Sequence, residues 1–194
     1  MKLYIFFKRF IDFILSIFFL IIFFPIIFII PIFILFVDFQ NPFFIQRRTG
    51  YKKKLFNLYK FKTMKKNKIT RLGSFLRRTR LDELPQLINI LKNDMSFVGP
   101  RPLLVEYLDI YDDYQMKRFD APQGITCISQ ISGGNKLTWE KKLNLDVEYV
   151  DKRSFLLDIK ILMLTFVMVI RSIFDKNTDA NIVIKFMKKE KNDK

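Results

Sequence analysis

The segment Leu81-Asp82-Glu83-Leu84-Pro85-Gln86 places two adjacent carboxylates directly behind an arginine-rich run that carries Arg71, Arg77, Arg78 and Arg80. The chain has no histidine and one cysteine, Cys127. Serine–histidine, cysteine–histidine and histidine–metal chemistry are therefore excluded, as are an intrachain disulfide and a cysteine-based zinc cluster. Any catalysis must rest on carboxylates, lysines or tyrosines. Pro85 fits only the first turn of a helix, so the pair sits where a helix begins and its partial positive charge favours anions. Each carboxylate disfavours ionisation of the other, which couples their titration. Two carboxylates also suit Mg²⁺, which is commonly held by one or two of them together with substrate phosphates. Asp82 and Glu83 are thus the best candidates for a nucleophile or a metal site, and ordinary helix capping is the competing explanation.

A second candidate lies downstream, in Asn93-Asp94-Met95-Ser96-Phe97-Val98-Gly99-Pro100-Arg101-Pro102. Arg101 between Pro100 and Pro102 can present a rigid fork to a phosphate with little loss of entropy. A tight surface turn is the alternative. Lys60, within Leu58-Tyr59-Lys60-Phe61-Lys62-Thr63-Met64, is ambiguous alone, and Cys127 reads as a small packed residue rather than a reactive thiol.

These groups need elements to hold them, and composition says where those elements lie. Half of the 194 residues are hydrophobic and 23 are Phe, yet Lys and Arg outnumber Asp and Glu by 34 to 19. A basic body attached to a lipid-seeking segment reconciles the two. The formal charge of +15 predicts anionic partners: phospholipid headgroups, nucleotide phosphates or nucleic acid. Phe10 to Val37 is apolar except for Asp12 and Ser16, long enough for a spanning helix and too long for a signal peptide. Pro25 and Pro31 predict a kink within it. Lys2, Lys8 and Arg9 precede the run, and Arg47, Arg48, Lys52, Lys53 and Lys54 follow it. A helix that dips into the bilayer, breaks and returns keeps both clusters on the cytoplasmic side, whereas one ordinary span would export one of them.

Phe43-Phe44-Ile45 and Leu55 to Phe61 read as short strands joined near Gly50. Ile69 to Arg80 reads as an amphipathic helix, either lying on an anionic surface or presenting a solvated face. Helical spacing continues at Leu84 to Leu91, followed by a loop over Met95 to Pro102. Exposed helix is expected over Glu106 to Phe119, irregular chain over Pro122 to Asn135 and helix over Trp139 to Val150. Phe155 to Ile170 suits a core or interfacial helix.

Taken in order, several segments resemble the bacterial sugar transferase family, the small monotopic phosphoglycosyl transferases. They are Gln46-Arg47 with Gly50, Tyr59 to Met64, Leu81 to Gln86, Asp94 to Pro102, Gly124-Ile125-Thr126, Gln130, Trp139 to Lys142, Asp146 with Tyr149, and Ser154 to Asp158. Within the family the likeness is strongest to the branch that transfers diacetylbacillosamine-1-phosphate to undecaprenyl phosphate. The resemblance implies an α-rich α+β fold: a monotopic membrane protein with a re-entrant helix-break-helix over 1–38, a cytosolic catalytic domain with interfacial helices and a small β element over 39–173, and a basic tail over 174–194. Pro25 would make the membrane break, with Phe24 where the family usually has serine. The implied activity moves a sugar-1-phosphate from a UDP-sugar onto undecaprenyl phosphate at the cytoplasmic face of the bacterial inner membrane. It would open the membrane stage of glycoconjugate biosynthesis and release UMP. Asp82 would be the nucleophile, Glu83 would act with it in catalysis and Mg²⁺ binding, and Pro100, Arg101 and Pro102 would recognise the nucleotide. Lys60 and Arg47 would balance phosphate charge. Anionic phospholipid and further glycan-pathway enzymes are the implied partners.

Two other functions share the basicity. A non-catalytic scaffold at the membrane surface would need the arginines but not the carboxylates. A nucleic-acid binder would need a recognition motif, and the sequence carries none that we recognise.

Overall fold

The computed structural model describes residues 2–174, so the basic tail expected over 174–194 lies, from residue 175 onward, outside the described residues. Helix α1, Lys2–Val37, contains both prolines and runs 36 residues, some 54 Å at 1.5 Å per residue. By length and composition it could cross a bilayer. The expected division into two helices at Pro25 is not present: α1 continues through Pro25 and Pro31 as one element. Each proline removes one amide hydrogen bond and crowds the preceding turn, which a long helix can absorb by bending while its neighbours stay helical.

One face of α1 packs along the rest of the chain over nearly its whole length. Near its start, Lys8 pairs with Asp158 at 2.6 Å. At mid-length Phe19, Leu20 and Ile27 pack on a core of Phe56, Leu58, Leu87, Ile90 and Met95. Toward its end Ile30 and Ile34 pack with Phe61 and Leu76. The opposite face exposes Phe6, Phe10, Phe13, Phe18, Phe24, Phe28 and Phe36. An apolar surface of that extent marks a membrane contact rather than a solvated one.

After α1 comes an antiparallel hairpin, β1 (Phe43–Thr49) with β2 (Leu55–Phe61), in which Arg48 faces Phe56 and Phe44 faces Lys60. A two-residue pair follows, β3 (Met64–Lys65) with β4 (Lys68–Ile69). Helix α2, Arg71–Thr79, is capped by Thr70, whose hydroxyl accepts from the Gly73 amide. A single 3₁₀ turn, Leu81–Glu83, leads into α3, Gln86–Leu91, so Pro85 does stand at a helix start. Strand β5, Ser96–Val98, pairs in parallel with β6, Gly124–Thr126. Between them the continuous helix expected over 106–119 is replaced by two 3₁₀ segments, Val105–Ile110 and Lys117–Asp120, around the short α4, Asp113–Met116. Asp112 starts a new capping box with Gln115, which restarts the chain there, and Arg118 and Phe119 turn into the core.

The chain closes with α5 (Ile128–Ile131), α6 (Trp139–Lys152) and α7 (Phe155–Phe174). Val98, Ala121, Ile128, Ile131, Tyr149, Val150 and Ile161 form the core beneath them. Helix α7 exposes Leu156, Ile159, Met163, Phe166 and Ile170, a second apolar surface.

Candidate active site

The carboxylate pair stands on the 3₁₀ turn after α2. The chain enters that turn through Arg80, whose backbone is left-handed at φ 61°. For a residue with a side chain, this conformation costs on the order of 1–2 kcal/mol, and such strain collects at functional sites. The turn aims both acids inward, and both Asp82 and Glu83 are buried.

Glu83 is where the site converges. Its Oε1 accepts from Lys60 Nζ at 2.6 Å and from Arg101 Nη2 at 3.1 Å. Burial alone would raise its pKa, but Arg101, Lys60 and Arg80 together hold it down at about 2. Asp82 differs. Among the described residues its carboxylate takes no hydrogen bond or ion pair. Burial, then the neighbouring Glu83, push its pKa up to about 6, against the pull of Lys60, Arg80 and Arg77. Four cations thus surround two carboxylates. That excess of positive charge, with one carboxylate unengaged, suits a phosphorylated anion.

Each cation is fixed by its element. Lys60 is placed by β2, which Asn89 of α3 grips along its backbone: Asn89 Oδ1 accepts from the Tyr59 amide at 3.1 Å and Nδ2 donates to Asn57 O at 2.7 Å. Arg101 is placed by a loop whose carbonyls are taken one after another. The Gly124 amide donates to Pro100 O, Arg118 to Arg101 O at 2.5 Å, Arg48 to Pro102 O at 3.4 Å and the Thr49 amide to Leu103 O. Gly99 and Gly124 let these strands touch, since a Cβ on Gly99 would lie 2.0 Å from Pro122 O. Arg118 is wholly buried, pairs with Asp146 at 2.7 Å and lies over the rings of Tyr111 and Phe119. Pro100 and Pro102 are buried on either side of a half-exposed Arg101.

Lys60, Glu83 and Arg101 are therefore brought together around Asp82. Arg47 and Pro25 are not. In the hairpin register Arg48, Gln46 and Lys60 share one face, and Arg47, across from Asn57, points from the other and is exposed. Arg48 is the residue that reaches the Arg101 loop. Pro25 is exposed on α1. Sequence reasoning assigned Arg77 and Arg80 to a surface, yet both act on Asp82. Their spacing, five and two residues before it, is the signal that could have found them.

Against Glu83 and Arg80 opens an apolar cavity of about 230 Å³ between α1, α3, β6 and α7, lined by Phe19, Phe23, Leu87, Phe97, Met168 and Val169 among others. A cavity of ~150 Å³ takes a benzene, so this one has room for a short run of hydrocarbon. Two adjacent buried carboxylates are the kind of ligand that could share Mg²⁺ with substrate phosphates. Among the described residues no group of three acidic or thiol ligands would hold a metal alone.

A sequence model described as bacterial sugar transferase matches residues 3–172. The chain belongs to that family. It is 48% identical over 135 residues to the uncharacterized sugar transferase EpsL of Bacillus subtilis, covering 63% of this chain and 67% of that protein. It is 38% identical over 151 residues to a UDP-glucose:undecaprenyl-phosphate glucose-1-phosphate transferase of Xanthomonas campestris, covering 66% of this chain and 31% of that one. To the undecaprenyl-phosphate galactose phosphotransferase of Salmonella typhimurium it is 41% identical over 111 residues, 57% of this chain and 23% of that one. Against the latter two, the chain spans about a third or less of the relative's length.

Proposed function

We propose that this chain transfers a sugar-1-phosphate from a UDP-sugar to undecaprenyl phosphate, with Asp82 as the covalent nucleophile. The observation that carries the reading is the contrast within the carboxylate pair: Glu83 is tied to Lys60 and Arg101, while Asp82 beside it has no partner among the described residues. An Asp82 oxygen attacks the β-phosphorus of the donor. The bond from that phosphorus to the bridging oxygen breaks and UMP leaves with the electron pair. A phosphate oxygen of the lipid acceptor then attacks the same phosphorus, and the bond to Asp82 breaks, returning the carboxylate. No net proton is needed.

Lys60 and Arg101 stand where the diphosphate charge must be offset, with Glu83 orienting both. Arg48 supports the Arg101 loop, and Arg77 and Arg80 keep the positive potential high at Asp82. Asp82 and Glu83 would hold Mg²⁺, which would reduce the repulsion between an anionic nucleophile and an anionic diphosphate. The cavity beside Glu83 takes the first isoprene units of the acceptor, so its phosphate ends near the pair.

Membrane topology belongs to the same proposal. Both ends of α1 contact one body: Lys8 at Asp158, and Asp38, just beyond the helix, at Thr70 Oγ1 and Lys65 Nζ, each 2.7 Å. This supports a re-entrant seating at the cytoplasmic face of the inner membrane, bent where the prolines weaken the helix, with α2 and α7 against anionic phospholipid. The test is a panel of UDP-sugars, with glucose, galactose and diacetylbacillosamine donors, incubated with undecaprenyl phosphate and Mg²⁺ and scored by UMP. One donor should release UMP, and mass spectrometry should find the phosphosugar on the peptide carrying Asp82. Turnover without that adduct would assign the nucleophile elsewhere.

A further inference from the structure

Strand β5 runs straight into the Gly99–Pro102 loop, and among the described residues one of its edges is paired with a strand, β6. On that side the Ser96 amide donates to Gln123 O and the Gly99 amide to Thr126 O. Two side chains of α1 reach the backbone of the strand and of the residue before it. Arg9 Nη1 donates to Met95 O at 2.8 Å, and the Phe97 amide donates to Asp12 Oδ1 at 3.3 Å. Arg9 and Asp12 are three residues apart, on one face of the helix, so they meet the strand as a donor and an acceptor in sequence. Phe19, two turns further along, packs edge-on against Phe97 at 5.7 Å between ring centroids. From the start of the same helix, Lys8 and Tyr4 hold Asp158, which accepts from Tyr149 Oη at 2.7 Å, and that hydroxyl lies 3.3 Å from Val98 O.

An apolar membrane helix has no reason to carry a buried aspartate unless the charge is used. Asp12 is 4% exposed and stands in the apolar run. The same device occurs elsewhere in the chain, where Asn89 supplies donor and acceptor to the backbone of β2 and so places Lys60. Of the two cations that converge on Glu83, Lys60 lies on a strand and Arg101 on the loop that follows one, and both strands are held at their backbone by helix side chains.

We infer that Arg9 and Asp12 of the membrane helix are positioning residues for the Arg101 loop, so that correct seating of α1 sets the recognition of the donor nucleotide's diphosphate. This rests on the proposed transferase reading. The helix is then part of the donor site's support and not only an anchor. Loss of either group frees a backbone position just upstream of Gly99 and lets Arg101 drift from Glu83, while the Phe97 ring, which lines the acceptor-side cavity, keeps its place through its contact with Phe19.

The experiment uses the full chain in nanodiscs of phosphatidylethanolamine and phosphatidylglycerol, comparing wild type with Asp12→Leu, Arg9→Met and Asp12→Asn. Asp12→Leu and Arg9→Met should raise KM for the UDP-sugar about tenfold, the size expected for one lost hydrogen bond at a pre-organised site, and leave KM for undecaprenyl phosphate within about twofold. Asp12→Asn keeps an acceptor oxygen and should restore most of the donor KM. Hydrogen exchange should quicken in peptides covering 95–104 in the two disruptive variants and stay unchanged across 139–152. An unmoved donor KM, or equal rises in both KM values with a lowered Tm, would overturn the proposal by leaving only a structural role. Unchanged exchange over 95–104 would overturn it as well. If wild type turned over no UDP-sugar, the transferase reading would fail, and the exchange measurement would still decide whether α1 holds the loop.

Discussion

Two buried aspartates flank the Arg101 loop and are treated in opposite ways. Asp146, beneath it, is paired at 2.7 Å with an arginine that is itself wholly buried and that also holds the loop's backbone. Asp82 is left without a partner among the described residues; burial raises the pKa of both carboxyls, and beside Asp82 the neighbouring Glu83 pushes the same way, up to about 6. Carboxylates that serve the fold are neutralised by a neighbour. A carboxylate kept charged and unpaired costs stability, and a group that must react gains from being held that way.

The largest expected effect follows from Asp82. Asp82→Asn should reduce UMP release by ~10,000-fold, as removal of a covalent nucleophile commonly does. It should also raise stability. The folded-state pKa of about 6 lies above the ordinary 3.8, so Asp82 favours the folded chain while protonated. That contribution is complete below the unfolded value and is lost as pH rises through about 6. At pH 7 in EDTA, the asparagine variant should therefore melt higher, by an amount on the order of 2 kcal/mol, and its advantage should vanish near pH 4. Activity runs the other way, falling as pH drops through about 6, with the midpoint moving lower as Mg²⁺ is raised. An active Asp82→Asn, or one that melts lower than wild type at pH 7, would erase the contrast with Asp146.

The next effect belongs to the paired side. Arg118→Met leaves Asp146 buried without a counter-charge and should cost about 3–5 kcal/mol, read as a shift in the denaturant midpoint. The double variant Arg118→Met with Asp146→Leu removes both charges and should recover most of that loss. Its donor KM should stay raised, because Arg101 O has lost its donor. A double variant as unstable as the single one would mean that the pair's hydrogen bonds to the backbone, and not its charge balance, carry the stability.

How far the sequence leads depends on whether a feature is local. The Asp82-Glu83 pair, Lys60 and Arg101 could each be picked out because their neighbours constrain them: Pro85 sets a helix start, and Pro100 and Pro102 stiffen the chain at Arg101. The family resemblance implies one reaction for them, but their meeting at one Glu83 oxygen rests on β2 being held by α3 and β5 by α1, contacts between distant parts of the chain. The hairpin was legible from alternation around Gly50. The unbroken α1 was not, because a proline signals a lost hydrogen bond without saying whether the helix breaks or bends. Nor was the interrupted stretch from 105 to 120 legible as such, since its acidic and aromatic residues suit an exposed helix until Arg118 is drawn under the loop by Asp146.

The smallest predicted effect turns on a one-residue choice within the hairpin. Strand periodicity puts neighbours on opposite faces, so of two adjacent arginines only one can serve the site. Arg48 faces Phe56 and shares its side of the hairpin with Lys60, and its guanidinium reaches Pro102 O at 3.4 Å and Gln46 Oε1 at 2.6 Å. Burial, then the nearby Arg101, lower its pKa, which is the signature of two cations kept close where an anion would relieve them. Arg48→Gln should therefore raise KM for the UDP-sugar by roughly three- to tenfold, with kcat little changed, since it removes charge that binds ground state and transition state alike. Arg47→Gln should move it by less than about twofold, as expected for an exposed charge screened by solvent. The opposite ranking would put the donor's phosphates against the other face of the hairpin. Lys60 and Asp82 would then not act on the same diphosphate, and the division between a paired and an unpaired side of the Arg101 loop would lose its functional meaning.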